Sequence, residues 1–240
     1  MKYLPIFILL SLIAEIIGTV GGFGSSVFFV PIANFFFDFQ SVLGITALYH
    51  LSSNLSKIVL FKKGIEKKII ITLGVPAIIF VSLGAYLSQY FNPKILTYIL
   101  GFFLIALSLL FLIFKQLKVL PKTSNAIIGG SLSGLSAGLL GTGGAIRGIT
   151  LAAFKMNKDK FIATSAVIDL GVDFSRTIVY YFNGYMHKHD LYLVPILILV
   201  SIIGTWIGKI ILNKVSQEQF RNGVLVLILI VGIVSVLANF

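Results

Sequence analysis

Gly138-Leu139-Leu140-Gly141-Thr142-Gly143-Gly144-Ala145-Ile146-Arg147-Gly148 is a run of glycines that closes on an arginine, in a region with no charged residue from Thr123 to Ile146. Adjacent glycines weaken a helix, and an interruption in so long an uncharged stretch falls at bilayer depth rather than in a surface loop. A second run, Gly18-Thr19-Val20-Gly21-Gly22-Phe23-Gly24-Ser25-Ser26, lies in the uncharged stretch from Ile16 to Phe37. Two helix interruptions at corresponding places in two halves point to a solute site near the membrane midplane.

Further uncharged runs extend over Ile69 to Phe91, Ile95 to Phe114, Leu191 to Gly208 and Gly223 to Phe240. With 58% apolar and 11% charged residues in 240, the chain reads as an all-α polytopic membrane protein. Continuous rather than alternating apolar segments exclude a β-barrel. The absence of cysteine excludes disulfides, thiolate metal sites and a cysteine nucleophile. A net charge of +11 would suit nucleic acid, but the cations sit in short loops between apolar segments, where they orient a membrane protein. No nucleic-acid partner and no cofactor are therefore expected; the lipid bilayer is. Met1 to Ala14 has the weakly basic start and apolar core of a signal peptide. The apolar pattern continues through Glu15 into the first glycine run, so the segment is read as a helix of the fold.

The pattern predicts helices over about Leu4 to Ile17, Val27 to Phe37, Val42 to Phe61, Ile69 to Tyr90 and Ile95 to Phe114 in residues 1–120. Residues 121–240 repeat the plan over about Ser124 to Leu140, Ile146 to Phe154, Phe161 to Phe182, Leu191 to Asn213 and Gln219 to Asn239. A short helix of about ten residues at ~1.5 Å per residue reaches only about half of a ~30 Å hydrocarbon core. Each half is thus expected to be a glycine-broken re-entrant hairpin plus three transmembrane helices, an odd number of crossings, which makes the two halves inverted-topology repeats. Gly21 aligns with Gly141, Gly24 with Gly144, Thr46 with Thr164, Gly64 with Gly184, Pro76 with Pro195 and Gly84 with Gly204, at offsets of 118 to 120. Under one alternation, thirteen cations fall on the inner side: Lys62, Lys63, Lys67, Lys68, Lys115, Lys118, Lys122, Lys155, Lys158, Lys160, Lys209, Lys214 and Arg221. Only Lys2, Lys94 and Lys188 fall outside, which places both termini externally.

Ionisable residues inside the membrane cost roughly 2.5 to 3.5 kcal/mol each on insertion scales and default to functional candidates. Here they are Glu15, Lys57, Arg147, Asp169, Asp173 and Arg176. Arg147 follows the second interruption at the start of a short helix, where free amides and the helix dipole favour an anion, and its planar fork suits an oxyanion. The alternative is that Arg147 merely pairs with Asp169 or Asp173. Those two and Arg176 stand at i, i+4 and i+7 and share one helix face. The carboxylates could carry a coupling proton or serve as counter-charges for Arg147 and Arg176, and sodium stays open as a coupling ion. Lys57 aligns with Arg176, with snorkelling to the inner interface as its bland role. Thr46, Ser52, Ser53, Asn54, Ser56, Thr164 and Ser165 could complete an anion site, with backbone from Gly22, Gly24, Gly143 and Gly144, although small polar residues also serve helix packing. Glu15 reads as a partner for a cation and His50 as a packed or hydrogen-bonded histidine, with a proton relay as its alternative. His187 and His189 read as solvated, with no third metal ligand evident from the sequence. Gly130, Gly134 and Gly138, four apart, fit close helix packing; the glycines that follow them are left unexplained by it. Nucleotide-binding spacing is absent from both runs.

At these residues the chain resembles the sulfite exporter TauE/SafE family of membrane transporters. The resemblance is carried by Gly18 to Gly24, Val30-Pro31 and Gly44-Ile45-Thr46-Ala47 in the first half, and by Gly138 to Gly144 and Ala163-Thr164-Ser165 in the second. It covers nearly the whole chain. It departs at Leu151, where the first half has Pro31, and at Thr46-Ala47 against Thr164-Ser165. What the resemblance implies is movement of a small anionic substrate, such as sulfite, a sulfonate or a sulfoacetate-like compound, across a prokaryotic-type plasma membrane. A small-anion channel of the same architecture is the runner-up. An embedded hydrolase is disfavoured, because no paired histidine-carboxylate or metal-ligand set appears.

Overall fold

The computed structural model describes residues 3–22, 24–61, 64–114, 119–212, 214 and 217–237, with backbone alone at 111, 217–224 and 227. Phe23, Lys2, Lys62, Lys63, Lys115, Lys118 and the side chain of Arg221 lie outside the described residues, so part of the predicted cation distribution does too. Among the described residues all regular structure is helical. The helices are α1 (Leu4–Gly21), α2 (Ser26–Ala33), α3 (Phe39–Leu60), α4 (Lys67–Ser88), α5 (Pro93–Ile113), α6 (Thr123–Leu140), α7 (Gly144–Ala152), α8 (Lys158–Phe182), α9 (Leu193–Leu212) and α10 (Gln217–Leu237). α4 contains a π-helical stretch, Ile70–Gly74. A single 3₁₀ turn, Lys188–Asp190, precedes α9.

The starts of several helices are written in the sequence. Pro5 and Pro93 occupy the first turns of α1 and α5, where a missing N–H costs nothing. Asp38, Asn92 and Asn157 cap α3, α5 and α8 by accepting from the amides of Ser41, Lys94 and Lys160 at 3.0, 2.9 and 2.8 Å. Both long helices of the hairpins stop in the same way. Gly22 (φ +69°) and Gly141 (φ +76°) adopt the left-handed conformation that only glycine takes freely. Their amides return to Gly18 O and Ala137 O, each at 3.1 Å. Gly18 remains helical, so the first interruption is narrower than the glycine run suggests. α2 is also shorter than the predicted Val27 to Phe37, ending at Ala33.

α1, α4, α5 and α9 are long and apolar enough to cross a membrane. Their exposed faces carry Leu9, Ile79, Phe102 and Trp206, apolar side chains that suit lipid rather than water. α3 holds Lys57 and α8 holds Asp169, Asp173 and Arg176, and the two helices pack against each other in antiparallel fashion. The start of α3 meets the end of α8, with Gly44 against the Tyr185 carbonyl. The end of α3 leads to Glu66, whose amide donates to Thr164 at 3.0 Å and whose carboxylate meets Lys160 at 2.6 Å. α6 lies against α4 with no side chain between them: a Cβ on Gly130, Gly134 or Gly138 would strike the carbonyls of Leu73, Ala77 and Val81. Those three glycines are a packing ladder. α1 meets α9 through Gly204 and Gly208, which receive Glu15 and Thr19.

Candidate functional site

The two interruptions face one cavity of about 20 Å³ as measured by the centre of a water-sized sphere, enough for a water or compact ion. Gly24, Gly143 and Gly144 contribute backbone. Asn54, Lys57, Arg147, Asp169, Asp173 and Arg176 contribute side chains. Candidates from both halves therefore converge. Ser165 stands behind the wall, accepting from Arg147 Nε at 2.9 Å. Three others lie away from it. Thr46 turns its hydroxyl to Val42 O at 2.6 Å, Thr164 caps the start of α4 through the Glu66 amide, and Gly22 faces the Phe161 ring.

Each buried cation has a carboxylate. Lys57 Nζ meets Glu15 Oε1 at 2.9 Å, Arg176 Nη2 meets Asp173 Oδ1 at 2.6 Å, and Arg147 Nη1 pairs with Asp169 Oδ1. The pairs differ in how firmly they are held. Glu15 accepts from Ser25 and Ser53 at 2.6 Å each and from Thr205 and Thr19 at 3.0 and 3.2 Å. It is wholly buried and fully engaged.

Asp173 accepts from Arg176 Nε at 2.8 Å and from Asn54 Nδ2 at 2.7 Å. The same arginine donates Nη1 to Ala137 O and Gly141 O at 3.2 and 2.9 Å, and Tyr180 donates to Gly138 O at 2.7 Å. Gly138 O and Gly141 O lie where α6 stops, Ala137 O accepts there in addition to the Gly141 amide, and a cation at that place also meets the negative end of the helix dipole. Arg176 thereby explains how α6 can end in the buried interior of the protein. Asp169 is the most open of the three carboxylates, its side chain 14% exposed against 4% for Asp173 and 0% for Glu15.

His50 joins the halves. Ser25 donates its one hydroxyl proton to Glu15 Oε2, so its contact with His50 Nε2 at 3.1 Å makes that nitrogen the N–H donor. His50 Nδ1 is then the acceptor that faces Arg176 Nη2 at 3.4 Å. The assignment rests on the hydrogen-bond pattern. Ser25 and Ser26 line the cavity without having been singled out for it from the sequence; Ser53, named with the small polar residues, and His50, weighed as a packed histidine or a proton relay, line it too. A signal was present: His50, Asn54 and Lys57 stand at i, i+4 and i+7, as Asp169, Asp173 and Arg176 do, at an offset of 119.

Arg147 sits in the fourth position of α7, and its own amide is satisfied by Gly143 O at 3.2 Å. Its role therefore rests on the guanidinium, not on its amide. Away from the cavity, the expectation that His187 and His189 lack a third partner is corrected. Asp190 lies 3.8 Å from His187 and 3.5 Å from His189, and the three have metal-ligand spacing. Among the described residues no buried side-chain nitrogen or oxygen lacks a hydrogen-bond partner.

Helices with apolar outward faces, two helices interrupted in the interior and a charged cavity between them mark a polytopic membrane transporter. The chain belongs to the sulfite exporter TauE/SafE family, whose profile matches residues 7–235. It is also similar to a protein of Methanocaldococcus jannaschii described as a probable membrane transporter protein, at 25% identity over 241 aligned positions, 91% of this chain and 90% of that one. No solved structure matches the chain.

Proposed function

We propose that the chain is a secondary transporter of small sulfur-containing or organic anions, of the sulfite or sulfonate type. The anion is held between the two interruptions against Arg147 and reached from either side in turn as one half rocks against the other. The observation that carries this reading is the convergence of both interruptions and Arg147 on one cavity. Lys57 and Arg176 in the same wall add positive field, although their own carboxylates and carbonyls hold them. The inverted arrangement of residues 1–120 and 121–240 belongs to the proposal. It is supported by the antiparallel contact of α3 with its counterpart α8, and by Asn54 meeting its own counterpart Asp173.

The test is substrate-induced thermal stabilisation of the purified protein with sulfite, thiosulfate and methanesulfonate. Arg147→Ala is expected to abolish the shift while remaining folded. If Arg147→Ala instead expresses poorly with a lowered melting point, and adding Asp169→Asn restores both folding and transport, Arg147 is structural and the reading is wrong.

A further inference from the structure

Lys57, Arg147 and Arg176 are matched one for one by Glu15, Asp169 and Asp173, so the cavity wall together with Glu15, which pairs with Lys57 behind it, carries no formal charge in excess. An anion entering it alone would add an unbalanced charge at the centre of a membrane protein, at a cost that low polarisability makes large. Either the anion brings a proton or a carboxylate must give way. The three carboxylates are not equally able to do so. Glu15 is closed in by four hydroxyls and Lys57, and Asp173 by Arg176 and Asn54. Asp169 lines the cavity, is the most exposed of the three, and meets Arg147 through one nitrogen of the fork, Nη1, while Nε is turned to Ser165. The Nη2 edge of Arg147 faces the first interruption at Gly24, where a Cβ would rest in ordinary contact with it at 3.5 Å.

We propose that Asp169 is a tethered stand-in for the substrate: its carboxylate occupies Arg147 when the site is empty, and a proton taken up by Asp169 releases the guanidinium to a singly charged oxyanion. Anion and proton then bind together, and the loaded site is as neutral as the empty one. The inference rests on the anion site proposed above and adds its coupling ion, its stoichiometry and the substrate's charge class. The charged and titratable groups that surround Asp169 are Arg147 on α7, Lys57 and His50 on α3, and Asp173 and Arg176 on α8 itself. α6 brings none, and α4 brings them only near its ends.

Methanesulfonate is the suitable probe, because it stays ionised and any proton must be carried by the protein. Its binding to the wild-type protein is expected to tighten about tenfold per unit fall in pH over the range in which Asp169 titrates, the slope for one linked proton. In liposomes holding a pH dye, a methanesulfonate gradient should drive one proton per anion in the same direction, at a rate indifferent to an imposed membrane potential. Asp169→Asn should bind methanesulfonate with no pH slope and exchange it without proton movement, whereas Asp173→Asn should keep the slope. Binding by the wild type that is independent of pH, or uptake that carries net charge, overturns the Asp169 proposal while leaving the anion site standing. These two measurements need no variant. Absence of binding by sulfite, thiosulfate and methanesulfonate alike, at every pH, overturns the anion site and the Asp169 proposal with it.

Discussion

Lys57 and Glu15 define what a buried charge requires here: the ammonium has Ser53 at 2.7 Å and the carboxylate at 2.9 Å, and neither can lose the other cheaply. Lys57→Met is expected to destabilise the protein by about 3 to 5 kcal/mol, because Glu15 is left buried without its cation. The double change Lys57→Met with Glu15→Gln should recover most of that, as melting temperatures in one detergent would reveal. Arg147→Lys should retain only part of the substrate-induced shift, since a point charge replaces a fork. The missing charge-assisted contact is worth about 1.5 to 3 kcal/mol, or roughly ten- to a hundredfold in affinity by titration. Arg147 could be singled out from the sequence because a lone cation beside a glycine run is conspicuous. Its pairing with Asp169 could not be chosen over pairing with Asp173, since both lie on one helix face and four residues do not reveal which one points at α7.

At the level of helices, the glycine ladder makes a sharper prediction than any apolar contact. Gly134→Ala places a methyl group into the Ala77 carbonyl, and separating α4 from α6 should cost about 1 to 3 kcal/mol. Gly184 has open space around it but a φ of +79°, so Gly184→Ala should cost only the left-handed strain, about 1 kcal/mol, in the same assay. An outcome in which Gly184→Ala is the worse of the two would show that α4 and α6 are not in backbone contact. The ladder was legible as a four-residue spacing. Its partner was not, because carbonyl oxygens of Leu73, Ala77 and Val81 leave no trace in side-chain pattern. The same limit hid the work of Arg176. A cation in an apolar helix reads as a ligand for something, and nothing in its spacing reveals that part of that something is the end of α6.

For the molecule as a whole, the antiparallel run of α3 beside α8 and the inner cations predict opposite faces for Lys68 and Lys188. Both are exposed, and the chain has no native cysteine to interfere. Single cysteines at these positions should react with a membrane-impermeant thiol reagent from opposite sides of sealed vesicles; reaction from one side would end the inverted arrangement. Helix number and order were readable because apolar runs long enough to span a bilayer have few other uses. The cavity was readable in part: charged residues in both halves announced it, but the serines of the first interruption and His50 look like ordinary helix-packing residues until the chain folds.

The π-helical stretch of α4 has a consequence for phase. Each residue of a regular helix turns the next by about 100°, so a stretch that accommodates one extra residue resets the angular position of everything beyond it. Ahead of Ile70, Glu66 and Thr164 tie α4 to the start of α8; beyond Gly74, Ala77 and Val81 must meet Gly134 and Gly138. Both appointments are kept only because the helix slips out of step between them. Deleting Thr72 should therefore restore an ordinary helix and turn one of those two faces by about a quarter of a circle toward lipid, a loss of packing that no change of side chain at the ladder would repair.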